Sequence, residues 1–138
     1  MVAECQESDT SVIDWSSALC ERNAQRRELV RLSTVTAAEG LDPAHPAHEF
    51  SQVRYQRVRT LVAHRIGLDQ EKGRLAPTVD PEGLAAELTA LMDGLQPQWL
   101  MQPPVDIWGL LRTALRRLAA GPDGGAGAGL QVGARRDV

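Results

Sequence analysis

Apolar residues recur at spacings of three and four through most of the chain, and no useful length of sequence alternates with the period of two that a half-buried strand requires. This pattern predicts an all-α protein. Glycine and proline separate the predicted helices: Gly40, Pro43 and Pro46 lie between the second and the third, and Pro103 ends the fourth. We expect five helices, over residues 10–21, 24–39, 47–69, 81–103 and 105–118.

The fourth helix has the clearest start signal. Asp80 is a favourable N-cap, and Pro81 occupies the first helical position, where its missing N–H costs no hydrogen bond. Pro97 falls inside the same helix, where a proline costs roughly 3 kcal/mol unless the helix bends. We therefore predict a bend or a break between Asp93 and Pro97, eased by Gly94.

The first three helices each carry an apolar stripe that is predicted to face the core. On the first helix the stripe contains Val12, Ile13, Trp15, Leu19 and Cys20. On the second it contains Leu29, Leu32, Val35 and Ala37. On the third it contains Phe50, Tyr55, Val58, Leu61, Val62, Ile66 and Leu68.

The two C-terminal helices carry more apolar surface than one small domain can cover. Such helices pair with their symmetry mates in a four-helix bundle, although two helices in the middle of a monomeric bundle would show the same pattern. We predict a five-helix orthogonal bundle whose last two helices form the dimer contact. The expected interface residues are Leu91, Leu95, Trp99, Ile107, Trp108, Leu111, Leu115 and Leu118. The fourth helix also has a smooth second side made of Ala86, Ala90, Gly94 and Met101.

The two ends of the chain differ in composition from its middle. Residues 1–9 and 121–138 contain too few apolar side chains to offset the entropy lost on ordering. We expect a flexible N-terminus, one helical domain over residues 10–120 and a disordered Gly/Ala-rich tail. The net charge of −3, with both signs interspersed, argues against strong electrostatic binding to a nucleic-acid backbone.

Composition and motifs also exclude several functional classes. The sequence has no apolar run long enough to span a bilayer and no signal-peptide pattern, and its two cysteines do not form a disulfide framework, so we expect a cytoplasmic protein without membrane contact. Neither a nucleophile elbow nor a phosphate-binding loop is present, and His45, His48 and His64 lack zinc-ligand spacing. The expectation is a protein that is not an enzyme and uses no metal or cofactor.

Arg54 is the first candidate for a functional side chain, because it falls within the apolar stripe of the third helix, where a guanidinium must find an acceptor. It either pairs with a carboxylate of the domain, such as Asp93 or Glu49, or anchors an acidic group of a small-molecule effector. A pocket for a mainly apolar effector is predicted among the first four helices, although core packing explains most of its members equally well. The predicted lining is Trp15, Leu19, Leu32, Val35, Thr36, His48, Phe50, Arg54, Val58, Leu88 and Met92.

Three segments resemble the C-terminal, ligand-binding half of TetR-type (AcrR-like) transcriptional regulators: HPAHEFSQVR at 45–54, GRLAPTVDPEGLA at 73–85 and LMDGLQPQWLM at 91–101. The resemblance covers residues 10–119. It implies a homodimeric helical domain that encloses an effector pocket and dimerises through its last two helices. It also implies an N-terminal helix-turn-helix, which we do not expect within residues 1–138, so these residues by themselves are not expected to bind an operator.

Three functions remain open from the sequence. The leading hypothesis is the effector-sensing and dimerisation domain of a TetR-type regulator, in which effector binding releases the operator in a complete protein. The alternative is a partner protein without a DNA-binding domain that forms heterodimers with a full-length regulator and inhibits it. A weaker option is a freestanding helical carrier of a small apolar molecule.

Overall fold

The computed structural model describes residues 9–102 and 106–120, apart from the side chains of Ile107 and Ala119. It contains the helices α1 (Val12–Ala24), α2 (Arg27–Glu39), α3 (Ala47–Glu71), α4 (Pro81–Met101) and α5 (Ile107–Ala120). The described residues form no strand, which confirms the predicted all-α class. The ends predicted to be flexible lie outside the described residues, except for Asp9. Within the described ranges, no helix combines the length and the apolar character needed to cross a membrane.

Side chains cap the starts of α1 and α4. The Ser11 hydroxyl accepts a hydrogen bond from the Asp14 N–H at 3.1 Å, so α1 begins slightly later than predicted. The Asp80 carboxylate accepts from the Glu82 N–H at 3.2 Å, and Pro81 is the first residue of α4. The predicted start of the fourth helix is therefore confirmed.

The fourth helix continues through Pro97, so the predicted break is not present. Because Pro97 has no N–H, the Asp93 carbonyl loses its usual helical donor. The side chain of Gln98 donates to the neighbouring Gly94 carbonyl at 2.9 Å. The apolar side of α4 consequently runs unbroken from Leu84 to Trp99.

The main core lies between α1, α3, α4 and α5. Helix α3 packs along α4, and α5 packs against both α4 and α1. Burial of each Leu, Ile or Val side chain contributes roughly 1.5–3 kcal/mol relative to exposure. The largest fully buried side chains are Val12, Cys20, Ile66, Leu111 and Leu115.

Helix α2 does not bury the stripe that its sequence predicts. Only Val30 of this helix is a buried residue, and Leu29, Leu32 and Val35 are all exposed, with 63% of Leu32 accessible. Periodicity identifies the apolar side of a helix, but it does not show which part of the structure, if any, covers that side. In this protein Leu29 and Leu32 face an open cleft.

The stripe predicted for α3 is buried only over its C-terminal half. Val62 and Ile66 of the C-terminal half belong to the core, although Leu61 beside them is exposed, whereas Phe50 of the N-terminal half is 62% exposed. The C-terminal half is the part that meets α1, where the Arg65 guanidinium lies 4.6 Å from the centre of the Trp15 ring. The N-terminal half extends beyond this contact and forms a wall of the cleft.

Candidate functional site

An open cleft lies between α2, the N-terminal half of α3 and Gln96 of α4. Its volume of about 420 Å³ falls within the range of roughly 300–1,000 Å³ that is usual for small-molecule sites. The walls combine apolar side chains with a few hydroxyl and amide groups. The lining consists of Asn23, Leu29, Val30, Leu32, Ser33, Thr36, Ala37, Phe50, Ser51, Arg54 and Gln96.

Close packing holds the C-terminal end of α2 against α3. Gly40 ends α2, and a Cβ atom at this position would lie 2.6 Å from the Ser51 hydroxyl oxygen. The His48 ring donates from Nδ1 to the Gly40 carbonyl at 2.7 Å, since a carbonyl oxygen can only accept. The glycine is therefore required here by the close approach of two helices.

The N-terminal end of α2 is held against the end of α4. Arg27 donates a hydrogen bond to the Leu100 carbonyl, and its guanidinium lies 5.3 Å from the centre of the Trp99 ring. Trp99 in turn contacts Trp108 of α5, with 5.5 Å between ring centres. Val30 and Trp99 form a second small core on which Trp108 also packs. One wall of the cleft is thus connected through two tryptophans to α5.

Arg54 lies on the exposed side of α3, which corrects the prediction that it is buried within an apolar stripe. None of the ion pairs among the described residues includes Arg54, so the predicted pairing with Asp93 or Glu49 is not formed. Asp93 instead accepts a hydrogen bond from the Tyr55 hydroxyl. Burial, together with this hydrogen bond, raises the pKa of Tyr55 to about 12.

A smaller cavity of about 220 Å³ adjoins the cleft. The two spaces share Ser33, Ala37, Arg54 and Gln96 as lining residues. Arg54 therefore lies at the boundary between the apolar cleft and the smaller, more polar cavity.

The structure brings together only part of the predicted pocket. The predicted residues that line the cleft are Leu32, Thr36, Phe50 and Arg54. Leu88 is buried in the main core, and Trp15, Val58 and Met92 pack against that core. His48 binds the end of α2, while Val35 and Leu19 lie outside the cleft lining.

Sequence reasoning missed several residues of the cleft. Ser33 and Ala37 follow Leu29 at successive intervals of four, and Ala37 was predicted on the same stripe as Leu29, but none of the three was included in the predicted pocket. Gln96 and Ser51 carry no such signal, because their positions depend on how α3 and α4 pack. Their presence in the lining comes from tertiary structure.

The predicted interface residues divide into two groups. Leu111 and Leu115 are only 1% and 2% exposed, and Trp99 is also buried, because α1, α2 and α4 of the same chain cover them. Side chains without free surface cannot bury appreciable area against a second chain. The half-buried residues that retain some surface are Leu91, Leu95, Trp108 and Leu118. The side chain of Ile107 lies outside the described residues.

Other apolar residues of the two helices do keep free surface, namely Ala90, Gly94 and Met101 of α4 and Leu110 of α5. All of these residues are exposed, and Leu110 reaches 57%. Ala90, Gly94 and Met101 belong to the smooth second side seen in the sequence. We call these four residues the outer face.

His45 and His48 have local structural roles. His45 accepts a hydrogen bond at Nδ1 from the Ala47 N–H at 3.1 Å, which satisfies the first amide of α3. Across the described ranges, no group of three or more His, Cys, Asp or Glu side chains is placed to hold a metal ion.

Comparison with known proteins identifies the family. The family model of the BetI-type transcriptional repressor C-terminal domain matches residues 16–121, a span that includes the cleft and the outer face. Neither the curated proteins nor the solved structures contain a significant match. The family match confirms the resemblance to TetR-type regulators that the sequence motifs indicated. The chain therefore belongs to the family of BetI-type transcriptional repressor C-terminal domains.

Proposed function

We propose that this domain senses a small-molecule effector in the cleft and forms a homodimer through α4 and α5, as part of a TetR-type transcriptional regulator. One observation carries the proposal: α2, which forms a wall of the cleft, is connected by Arg27 and Trp99 to the end of α4. A molecule that enters the cleft would therefore act on a helix that is linked to α4 and α5.

The apolar walls supply the affinity in this proposal. Leu29, Leu32 and Phe50 each expose more than half of their surface, and covering apolar area stabilises a complex by roughly 25 cal/mol per Å². Binding would shift α2 relative to α3, and the contact between Trp99 and Trp108 would pass that shift to α5. Coupling between sites of this kind is typically about 1–3 kcal/mol.

The outer face is the proposed dimer surface. Its small residues Ala90 and Gly94 permit close approach of a second helix, while Met101 and Leu110 supply apolar area. A two-fold axis through this region would place α4 and α5 of both chains in a four-helix bundle. The proposed dimer contact therefore no longer includes Leu111 and Leu115, which are buried within the protomer, and consists of side chains that are exposed in it.

A neutral fluorescent reporter, N-phenyl-1-naphthylamine, tests the sensing role without knowledge of the natural effector. We expect saturable fluorescence enhancement with the full chain and at least a tenfold loss of affinity in Leu32→Glu, because a carboxylate would be placed on the apolar wall. Leu61→Glu is the matched control, since Leu61 is an exposed leucine of α3 outside the cleft lining. Absence of reporter binding, or equal losses in both variants, would overturn the proposal.

A further inference from the structure

We propose that the cleft selects amphipathic monoanions, with a carboxylate head bound by Arg54 and an apolar body held against Leu29, Leu32 and Phe50. This inference rests on the proposed function, because it assigns a ligand class to the same cleft.

The charge of the lining supports an anion. Arg54 is the only residue with a formal charge among the described residues that line the cleft, and it enters none of the described ion pairs. Asp93 is an acidic residue of the adjoining cavity, where it interacts with Tyr55, and it does not line the cleft itself. Because apolar walls screen charge less than water does, the guanidinium favours an anion over a cation at this position.

Two polar side chains stand beside Arg54 at the junction of the two cavities. Ser33 and Gln96 line both spaces, as Arg54 does. A guanidinium offers donors in a planar fork that matches a carboxylate, and a hydroxyl and an amide add further donors. The same junction contains no carboxylate besides that of Asp93 among the described residues.

The apolar part of the cleft limits the rest of the ligand. Leucines of α2 face Phe50 of α3 across a volume of about 420 Å³, near the small end of the usual range. An acyl chain of medium length or a small aromatic ring system fits this description, and the charged head would reach the polar junction. Each methylene that is buried on the apolar wall should raise the affinity about fourfold.

Displacement of N-phenyl-1-naphthylamine by three compounds with the same tail tests the ligand class: octanoate, 1-octanol and octyltrimethylammonium. We expect octanoate to bind roughly five- to tenfold tighter than the alcohol, and the ammonium compound to bind more weakly than the alcohol. In Arg54→Gln the affinity for octanoate should fall to that of the alcohol, while the affinity for the alcohol stays unchanged. Arg57→Gln is the matched control, because Arg57 is an exposed arginine of the same helix outside the cleft lining.

The outcomes separate this inference from the proposed function. Equal displacement by all three compounds, or an octanoate preference that persists in Arg54→Gln, overturns the anion selectivity but leaves an effector cleft. Preference for the ammonium compound also overturns it. Failure of the reporter and of all three compounds to bind overturns both proposals. Circular dichroism of Arg54→Gln establishes that the variant is folded.

Discussion

The Asp69 carboxylate accepts a hydrogen bond from the backbone N–H of Val12 at 2.8 Å, and so joins the end of α3 to the start of α1. The first amide groups of a helix have no partner within the helix. Asp69 supplies that partner from 57 residues away, and its other carboxylate oxygen lies 2.9 Å from both Nε and Nη2 of Arg74. The Asp69 side chain, which is only 3% exposed, thus connects three segments.

Replacing this carboxylate should destabilise the domain. In Asp69→Ala the Val12 N–H and the Arg74 guanidinium both lose a buried acceptor, so we expect a loss of about 2–4 kcal/mol in the free energy of unfolding. Urea denaturation at fixed protein concentration measures it. Asp9→Ala is the control: Asp9 also contacts Arg74, but its side chain is 86% exposed, so the loss should be much smaller than that of Asp69→Ala. Similar losses in both variants would contradict the role of Asp69.

Two glycines near the end of α3 should respond to alanine in opposite directions. Gly67 lies inside the helix with open space around its Cα, so Gly67→Ala should stabilise the domain by about 0.5–1 kcal/mol. Gly73 has a φ of +71°, in the left-handed region, and Gly73→Ala should cost about 1–2 kcal/mol. Thermal unfolding of the two variants provides the comparison, and a change of the same sign in both would contradict these backbone conformations.

The Cys20 thiol should be chemically inert in the folded protein. Burial raises its pKa from 9.0 to about 12, with smaller opposing effects of Arg112 and Glu21. Because the neutral thiol is favoured in the folded state, its contribution to stability is complete below pH 9 and is lost as the pH rises toward 12.

Alkylation by iodoacetamide measures this directly. In a Cys5→Ser background at pH 9, we expect Cys20 to react roughly a hundredfold more slowly in the native protein than in urea, since thiolate is the nucleophile and the native pKa suppresses it. Equal rates in the two conditions would show that Cys20 is accessible and unperturbed.

Local signals in the sequence predicted the helices and the start of α4 well. The cap at Asp80 and the proline at position 81 act within one helical turn, so the sequence alone contains the information. The interaction of Asp69 with Val12 depends on how α1 packs on α3, and no local pattern indicates it.

The candidate site was predicted only in part for a related reason. The spacing of Leu29 and Leu32 defines an apolar side of α2, but a helical period does not say whether that side meets a core, a cleft or another chain. Arg54 lines the cleft beside apolar residues, but the prediction that it is buried within the stripe was wrong. Its exposure and its lack of an ion pair within the described residues follow from the extension of α3 beyond α1.

Adjacent leucines of α5 should separate folding from dimerisation. Leu110→Asp places a charge on the outer face, so we expect a folded protein with a weakened dimer. Leu111→Asp places the charge in the main core, where Leu111 is almost fully buried, and should unfold the protomer. Circular dichroism with sedimentation velocity distinguishes the two effects. Loss of helical signal in Leu110→Asp, or its retention in Leu111→Asp, would contradict the assignment of these side chains.

The two-fold pairing of α4 and α5 is tested most directly by sedimentation equilibrium of the purified wild-type chain over a range of concentrations. We expect a particle with twice the 15.0 kDa mass of the chain, and partial dissociation of that particle in Leu110→Asp under the same conditions. A wild-type mass of 15.0 kDa at every concentration would contradict the pairing, and with it the proposed sensing domain of a dimeric regulator.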